Sequence, residues 1–186
     1  MSTCIISFSS RTGGNCAGIG KLISSLVESP MLYDFSEFEI HPCGNCRYEC
    51  FALGENCPYI QDMEYTLLDA VTNSDLTYFI MPNYSDYPCA NFFIFNERSQ
   101  CYFQGRADLL NVYESVFKRV IVVSNTNEEN FRKAISYHSK SEPEILFLPA
   151  RKYGKSSIKE DLLTSEEALA DIIYFVQRPI LMNVIN

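Results

Sequence analysis

Apolar positions along the chain follow two alternating rhythms. Short, nearly unbroken apolar runs occur at Cys4–Phe8, Met31–Phe35, Leu76–Met81, Val120–Ser124 and Ile145–Pro149. Between them, apolar residues return every three or four positions, as at Ile19, Leu22, Ile23 and Leu26. The first rhythm predicts buried strands and the second amphipathic helices. Helices are expected at Asn15–Glu28, Gln61–Asn73, Ala90–Phe103, Asn127–Tyr137 and Ser165–Gln177. Strands that are apolar on both faces need cover on both faces. The alternation therefore predicts an α/β three-layer sandwich, a five-stranded parallel sheet with helices on both sides. No repeat, low-complexity tract or linker interrupts it, so residues 1–186 are read as one domain.

Ligands of such sheets bind outside the carboxyl ends of the strands, which directs attention to three loops. The first is Ser9-Ser10-Arg11-Thr12-Gly13-Gly14-Asn15-Cys16, a polar turn between the first strand and the first helix. Unpaired N–H groups and the positive end of the helix dipole would hold an anion there, most naturally a cofactor phosphate. The competing reading is an ordinary strand-to-helix turn. Other glycine patterns fail: Gly18 and Gly20 start a dinucleotide fingerprint, but its third position is Ile23. Gly20-Lys21 lacks the following hydroxyl of a P-loop, and Gly154-Lys155-Ser156 has Pro149 at the first glycine position. The other two loops are Pro82-Asn83-Tyr84-Ser85-Asp86-Tyr87-Pro88 and Ser124-Asn125-Thr126-Asn127. Their amides, hydroxyls and tyrosines suit the edge and face of a planar heteroaromatic ring, and equally a plain turn and a helix start.

In order and spacing these segments resemble the flavodoxin-like NAD(P)H-dependent FMN reductase superfamily, and within it the cysteine-containing, iron–sulfur flavoprotein-like members. The family's phosphate turn ends in Asn followed by a hydroxyl residue; here Ser9, Arg11 and Asn15 keep their places, Cys16 replaces the hydroxyl, and no glycine precedes Ser9. The family's P-x-Y loop and following apolar helix match Pro82-Asn83-Tyr84 and Phe92 to Arg98, with the Asp before the Arg replaced. The resemblance implies non-covalent FMN, its phosphate on Ser9, Ser10, Arg11, Gly13, Gly14, Asn15 and Cys16. The ring would lie against Pro82, Asn83, Tyr84, Ser85, Ser124, Asn125 and Thr126. It further implies NAD(P)H as electron donor, a small acceptor such as a quinone or free flavin, and a homodimer or tetramer. An electron carrier serving protein partners is the alternative, and a metal-bound interaction module without redox chemistry a third. The flavin carries the chemistry, so no catalytic side chain is expected. His41 and His138 are read as surface or locally bonded histidines.

A second cluster lies at Cys43, Cys46, Cys50 and Cys57, spaced C-x2-C-x3-C-x6-C. Four thiolates on one segment suffice for a [4Fe–4S] cluster or a zinc ion. The iron–sulfur flavoproteins have a similar motif with one residue fewer between the second and third cysteines. Metal-free thiols or a redox pair remain the alternatives. Cys4 and Cys16 belong to the first strand and turn; Cys89 and Cys101, on or beside the third helix, are read as small buried hydrophobes, and Phe92, Phe93, Phe95, Tyr102 and Phe103 as core. The apolar end, Pro179 to Ile185, is expected to pack on the domain or across a dimer.

A net charge of −8 makes nucleic acid an unexpected partner. No run reaches membrane-spanning length, and no basic segment precedes an apolar stretch at the N-terminus, so a cytoplasmic protein with reduced cysteines is expected.

Overall fold

The computed structural model describes residues 1–44, 46–51, 57–126, 128–136 and 139–180. Five parallel strands form the sheet: β1 (Thr3–Ser7), β2 (Pro30–Asp34), β3 (Leu76–Tyr84), β5 (Phe117–Ser124) and β6 (Glu144–Pro149), in the order β2-β1-β3-β5-β6. A two-residue strand, β4 (Tyr87–Pro88), turns back antiparallel on the end of β3. The helices are α1 (Asn15–Leu26), α2 (Met63–Thr72), α3 (Ala90–Phe103), α4 (Ala107–Ser115), α5 (Glu129–Ile135) and α6 (Glu166–Gln177).

Alternation of side chains along each strand divides the interior into two cores. Cys4, Ile6, Phe79, Met81, Val120 and Val122 face one layer with residues of α2, α3, α4 and α5. Ile5, Tyr78, Ile80, Ile121 and Val123 face the other with α1 and α6. The unbroken apolar runs are the signature of this double burial. Gly20 lets α1 lie close on the sheet: a Cβ there would meet Leu32 Cδ1 at 3.0 Å and Ile80 Cδ1 at 3.6 Å.

Local chemistry explains where elements begin and stop. The Asp62 carboxylate caps α2 by accepting from Glu64 N–H, and the Ser165 hydroxyl caps α6 by accepting from Ala168 N–H. α1 ends two residues before the predicted Glu28, because Ser29 takes a left-handed φ of 45° and Pro30 opens β2. α4 and β4 lie outside the predicted elements. α4 buries only Tyr113, too narrow a stripe for periodicity to register. The predicted helix Asn127–Tyr137 is α5; Asn127, Tyr137 and His138 fall outside the described residues, as do residues 181–186 of the apolar end. Ile180, just before them, packs on the α1–α6 core. A buried Arg119 on β5 ties down the segment after α6, donating to Val176 O (3.0 Å), Arg178 O (2.9 Å) and Pro179 O (3.2 Å) while pairing with Glu144 (2.8 Å).

Candidate functional site

The chain leaves β1 through α1 to β2 at one edge, then crosses to β3 on the other side of β1. This reversal opens a crevice at the carboxyl ends of β1 and β3. A cavity of about 260 Å³ lies there, walled by the loops after β1, β3 and β5. Every residue read from the sequence as a cofactor contact lines it, except Ser10 and Gly13. Ser10 faces a neighbouring cavity beside Phe35–Ile40, and its hydroxyl accepts from Asn91 Nδ2 at 2.9 Å. Gly13 forms the bend of the turn, with φ at 70°.

The first loop hangs from a rigid post. Phe8 N–H donates to Ile80 O at 2.8 Å, and Phe8 O accepts from Asn91 Nδ2 at 2.8 Å. The Phe8 ring packs among Phe35, Phe79, Phe92 and Phe95, all with centroids within 5.5 Å. Arg11 N–H then donates to Ser9 Oγ (3.3 Å) and Gly14 N–H to Arg11 O (3.2 Å), which aims the start of α1 at the cavity. Gly14 is the N-cap; no side chain caps this helix, and no acidic residue lies in its first turn. Both α2 and α6, by contrast, have a side-chain cap and first-turn carboxylates.

The other two walls are locked together. Ser124 Oγ accepts from Asn83 Nδ2 and from Thr126 N–H, both at 3.0 Å. Ser85 and Asp86, with φ of 52° and 72°, make the two-residue hairpin turn between β3 and β4. Asp86 Oδ2 in turn accepts from Asn130 Nδ2 at 2.8 Å, fixing the hairpin to α5. Tyr84 stands half-exposed at the mouth; partial burial, then the nearby Cys89 and Cys16, push its phenol up, so it stays protonated. Burial likewise pushes up the Cys16 thiol, which remains neutral at neutral pH. Arg11 is the one charged side chain among the described lining residues, which include no carboxylate or histidine.

A fourth wall was not legible in the sequence. The segment after β6 folds back so that Ser157 and Ile158 line the cavity. Asn15 Nδ2 donates to Ser156 O (3.2 Å) and Ser157 O (3.3 Å), and Leu162 N–H donates to Asn15 Oδ1 (3.1 Å). Arg11 Nη2 donates to Ile158 O (2.8 Å) and lies 3.5 Å from Glu160, while Asn125 Nδ2 donates to Ser157 Oγ (3.0 Å). The side chains of Arg11 and Asn15, read as anion donors, thus fasten this strap.

No known family model matches the chain, and no curated protein matches it in sequence. Solved structures do match. A flavone reductase superposes with a TM-score of 0.61 at 14% identity, over 95% of this chain and 60% of its own length. The Trp repressor binding protein of Bacillus subtilis gives 0.61 at 13% identity, over 96% and 100%. FerB, a flavoenzyme NAD(P)H:(acceptor) oxidoreductase of Paracoccus denitrificans, gives 0.55 at 16%, over 94% of each chain. The fold is flavodoxin-like. This chain spans about 60% of the flavone reductase it matches. The cavity sits where flavodoxin-like sheets, with this strand order, have their switch point.

The cysteine loop lies elsewhere on this flavodoxin-like scaffold, against α3. Arg98, fully buried, donates to His41 O (2.7 Å), Tyr59 O (3.3 Å) and Asp62 Oδ2 (2.7 Å). Cys43 N–H donates to Glu97 Oε2 (3.3 Å), and the Tyr59 hydroxyl to Gly44 O (3.0 Å). Arg98, matched in sequence to the end of a ring-binding motif, is therefore a staple for residues 41–62. His41 stacks on Tyr59 at 4.6 Å with Nδ1 3.3 Å from Asp62, a locally bonded histidine. No group of three or more Cys, His, Asp or Glu side chains arranged to hold a metal occurs among the described residues. The [4Fe–4S] and zinc readings of Cys43, Cys46, Cys50 and Cys57 thus gain no support. The aromatic helix behaves as core, with Phe92, Phe95, Tyr102 and Phe103 buried and only Phe93 exposed.

Proposed function

We propose that the cavity binds FMN and that the protein passes electrons from NAD(P)H to a small acceptor such as a quinone or free flavin. The observation that carries this reading is the convergence of three strand-end loops on one crevice that has an uncapped helix N-terminus at one end. That end suits a phosphate: the first-turn N–H groups of α1 and the Ser9 hydroxyl are the donors, and the Arg11 charge adds to them while shared with Glu160, which lies 3.5 Å away outside the lining. The opposite end suits a flat ring, with the Pro82–Ser85 backbone, Thr126 and the Tyr84 phenol around it. FMN, when bound, supplies hydride and single-electron chemistry that none of the lining side chains supplies.

The chain's own residues position and exclude. Ser124 Oγ, bonded to Asn83 and Thr126, holds the two ring-side loops at fixed spacing. Tyr84 Oη and Cys16 Sγ keep their protons and add no negative charge beside an electron-rich ligand. The 156–158 strap covers one side of the crevice from water. The similarity in fold to a flavone reductase and to FerB, an NAD(P)H:(acceptor) oxidoreductase, supports an oxidoreductase reading. Residues 1–186 would then act as one FMN domain in a cytoplasmic homo-oligomer. Titrating the purified protein with FMN, followed by NADH or NADPH oxidation with a quinone acceptor, tests this. Micromolar or tighter FMN binding with turnover is expected. Binding without pyridine-nucleotide oxidation would favour the electron carrier, and absence of FMN binding would overturn both.

A further inference from the structure

The strap that closes one side of the cavity also holds the cation of the phosphate turn. Arg11 Nη2 donates to Ile158 O at 2.8 Å and lies 3.5 Å from Glu160 Oε1. The other carboxylate oxygen of Glu160 hangs over the bend of the turn: a Cβ on Gly13 would meet Oε2 at 3.8 Å. Both side chains are half-exposed, so a ligand can reach them. The Glu160 backbone is held in place. Its φ of 61° is left-handed, a conformation that a residue with a Cβ keeps only when its neighbours impose it. Those neighbours are fixed on both sides: Ile158 O by Arg11, Asp161 Oδ1 by Ser156 N–H (3.1 Å), and Leu162 N–H by Asn15 Oδ1 (3.1 Å). A carboxylate is thus built into the rim of a turn whose other groups suit an anion.

We propose that Glu160 is a positioning residue for the phosphate turn, and that it sets how far the site prefers a phosphorylated flavin over the same flavin without its phosphate. This rests on the FMN reading of the cavity. In the free protein the carboxylate holds the Arg11 guanidinium on the strap. To reach a ligand phosphate, Arg11 must first part from Glu160 and from Ile158 O. A guanidinium–phosphate pair is stronger than one carbonyl bond and a 3.5 Å ion pair, so the exchange is favourable, but it starts from a paired cation rather than a free one. Riboflavin carries no phosphate and leaves the pair intact. Ribityl and ring contacts are common to both flavins, so Glu160 acts on the difference between their affinities. An exposed ion pair of this kind is worth a factor of about three to five in binding.

Calorimetric titration of the intact protein with FMN and with riboflavin tests this, in wild type, Glu160→Gln and Glu28→Gln. Glu28→Gln is the control: it removes one carboxylate charge just past the far end of α1, beside the chain's N-terminal amine. Glu160→Gln should tighten FMN binding about threefold to fivefold and leave riboflavin unchanged, while Glu28→Gln moves neither. In an Arg11→Ala background the gain from Glu160→Gln should disappear, because no cation is left to release. An unchanged FMN affinity in Glu160→Gln overturns the proposal. So does an equal shift for both flavins, which marks a purely structural role, or a gain that persists without Arg11. Wild-type protein that binds neither flavin overturns the FMN reading itself and this inference with it, a result distinct from each of the others.

Discussion

Glu64 makes the stability of this protein fall as pH rises. Its side chain is fully buried at the start of α2, and neither carboxyl oxygen has a hydrogen-bond partner. Burial pushes its acid from the ordinary 4.5 up to about 9. Arg98 pulls the other way, though its two terminal nitrogens donate to Asp62 and two backbone carbonyls and none of its donors bonds Glu64; Asp62 and Cys57 push further up. At neutral pH the folded chain holds a proton on Glu64 that the unfolded chain releases. Below about 4.5 both states hold it, and above about 9 neither does. Across that window each pH unit removes about 1.4 kcal/mol of stability.

Between about pH 6 and about pH 8 the loss is therefore about 3 kcal/mol, or roughly 6–12 °C in Tm for a chain of this size. Glu64→Gln keeps the shape and removes the titration. The buried amide costs about 1–3 kcal/mol, but that cost is constant with pH. Comparing the two proteins thus cancels the other titrating groups. Urea unfolding at three pH values across this range should show wild type losing about 3 kcal/mol relative to the variant. Parallel pH dependence in the two proteins would refute the reasoning, because Glu64 would then be ionised in the fold.

Three further substitutions test the site and its supports. Asn15→Ala removes three hydrogen bonds to the 156–162 strap; it should cost about 1–3 kcal/mol and speed tryptic cleavage after Lys155 or Lys159, and unchanged cleavage would mean the strap is held elsewhere. Gly13→Ala places a side chain at φ 70°, costing about 1–2 kcal/mol of stability; calorimetric titration should show FMN binding weakened about tenfold, about 1.4 kcal/mol. Arg119→Met leaves Glu144 with Arg178 alone and strands the carbonyls of Arg178 and Pro179. Denaturant unfolding should register a loss of about 2–4 kcal/mol, and a loss under about 1 kcal/mol would mean those groups find other partners.

What was legible in the sequence, and what was not, follows from the range of the forces involved. Apolar runs such as Cys4–Phe8 report double burial directly, because alternate apolar side chains of the central strands enter one core or the other. Parallel connection then brings the loops after β1, β3 and β5 to one edge whatever they contain, so most of the cavity could be read before any contact was known. The strap obeys no such rule. Ser157 reaches the cavity because Asn15 and Asn125 bond to it and Arg11 to its neighbour Ile158, all distant in sequence, and polar pairing of this kind leaves no period in the chain. Arg98 keeps its place in the resembled motif by spacing, and burial and the Asp62 carboxylate decide where it points. Periodicity specifies which faces are dry, and hydrogen-bond complementarity then selects among the polar arrangements those dry faces permit.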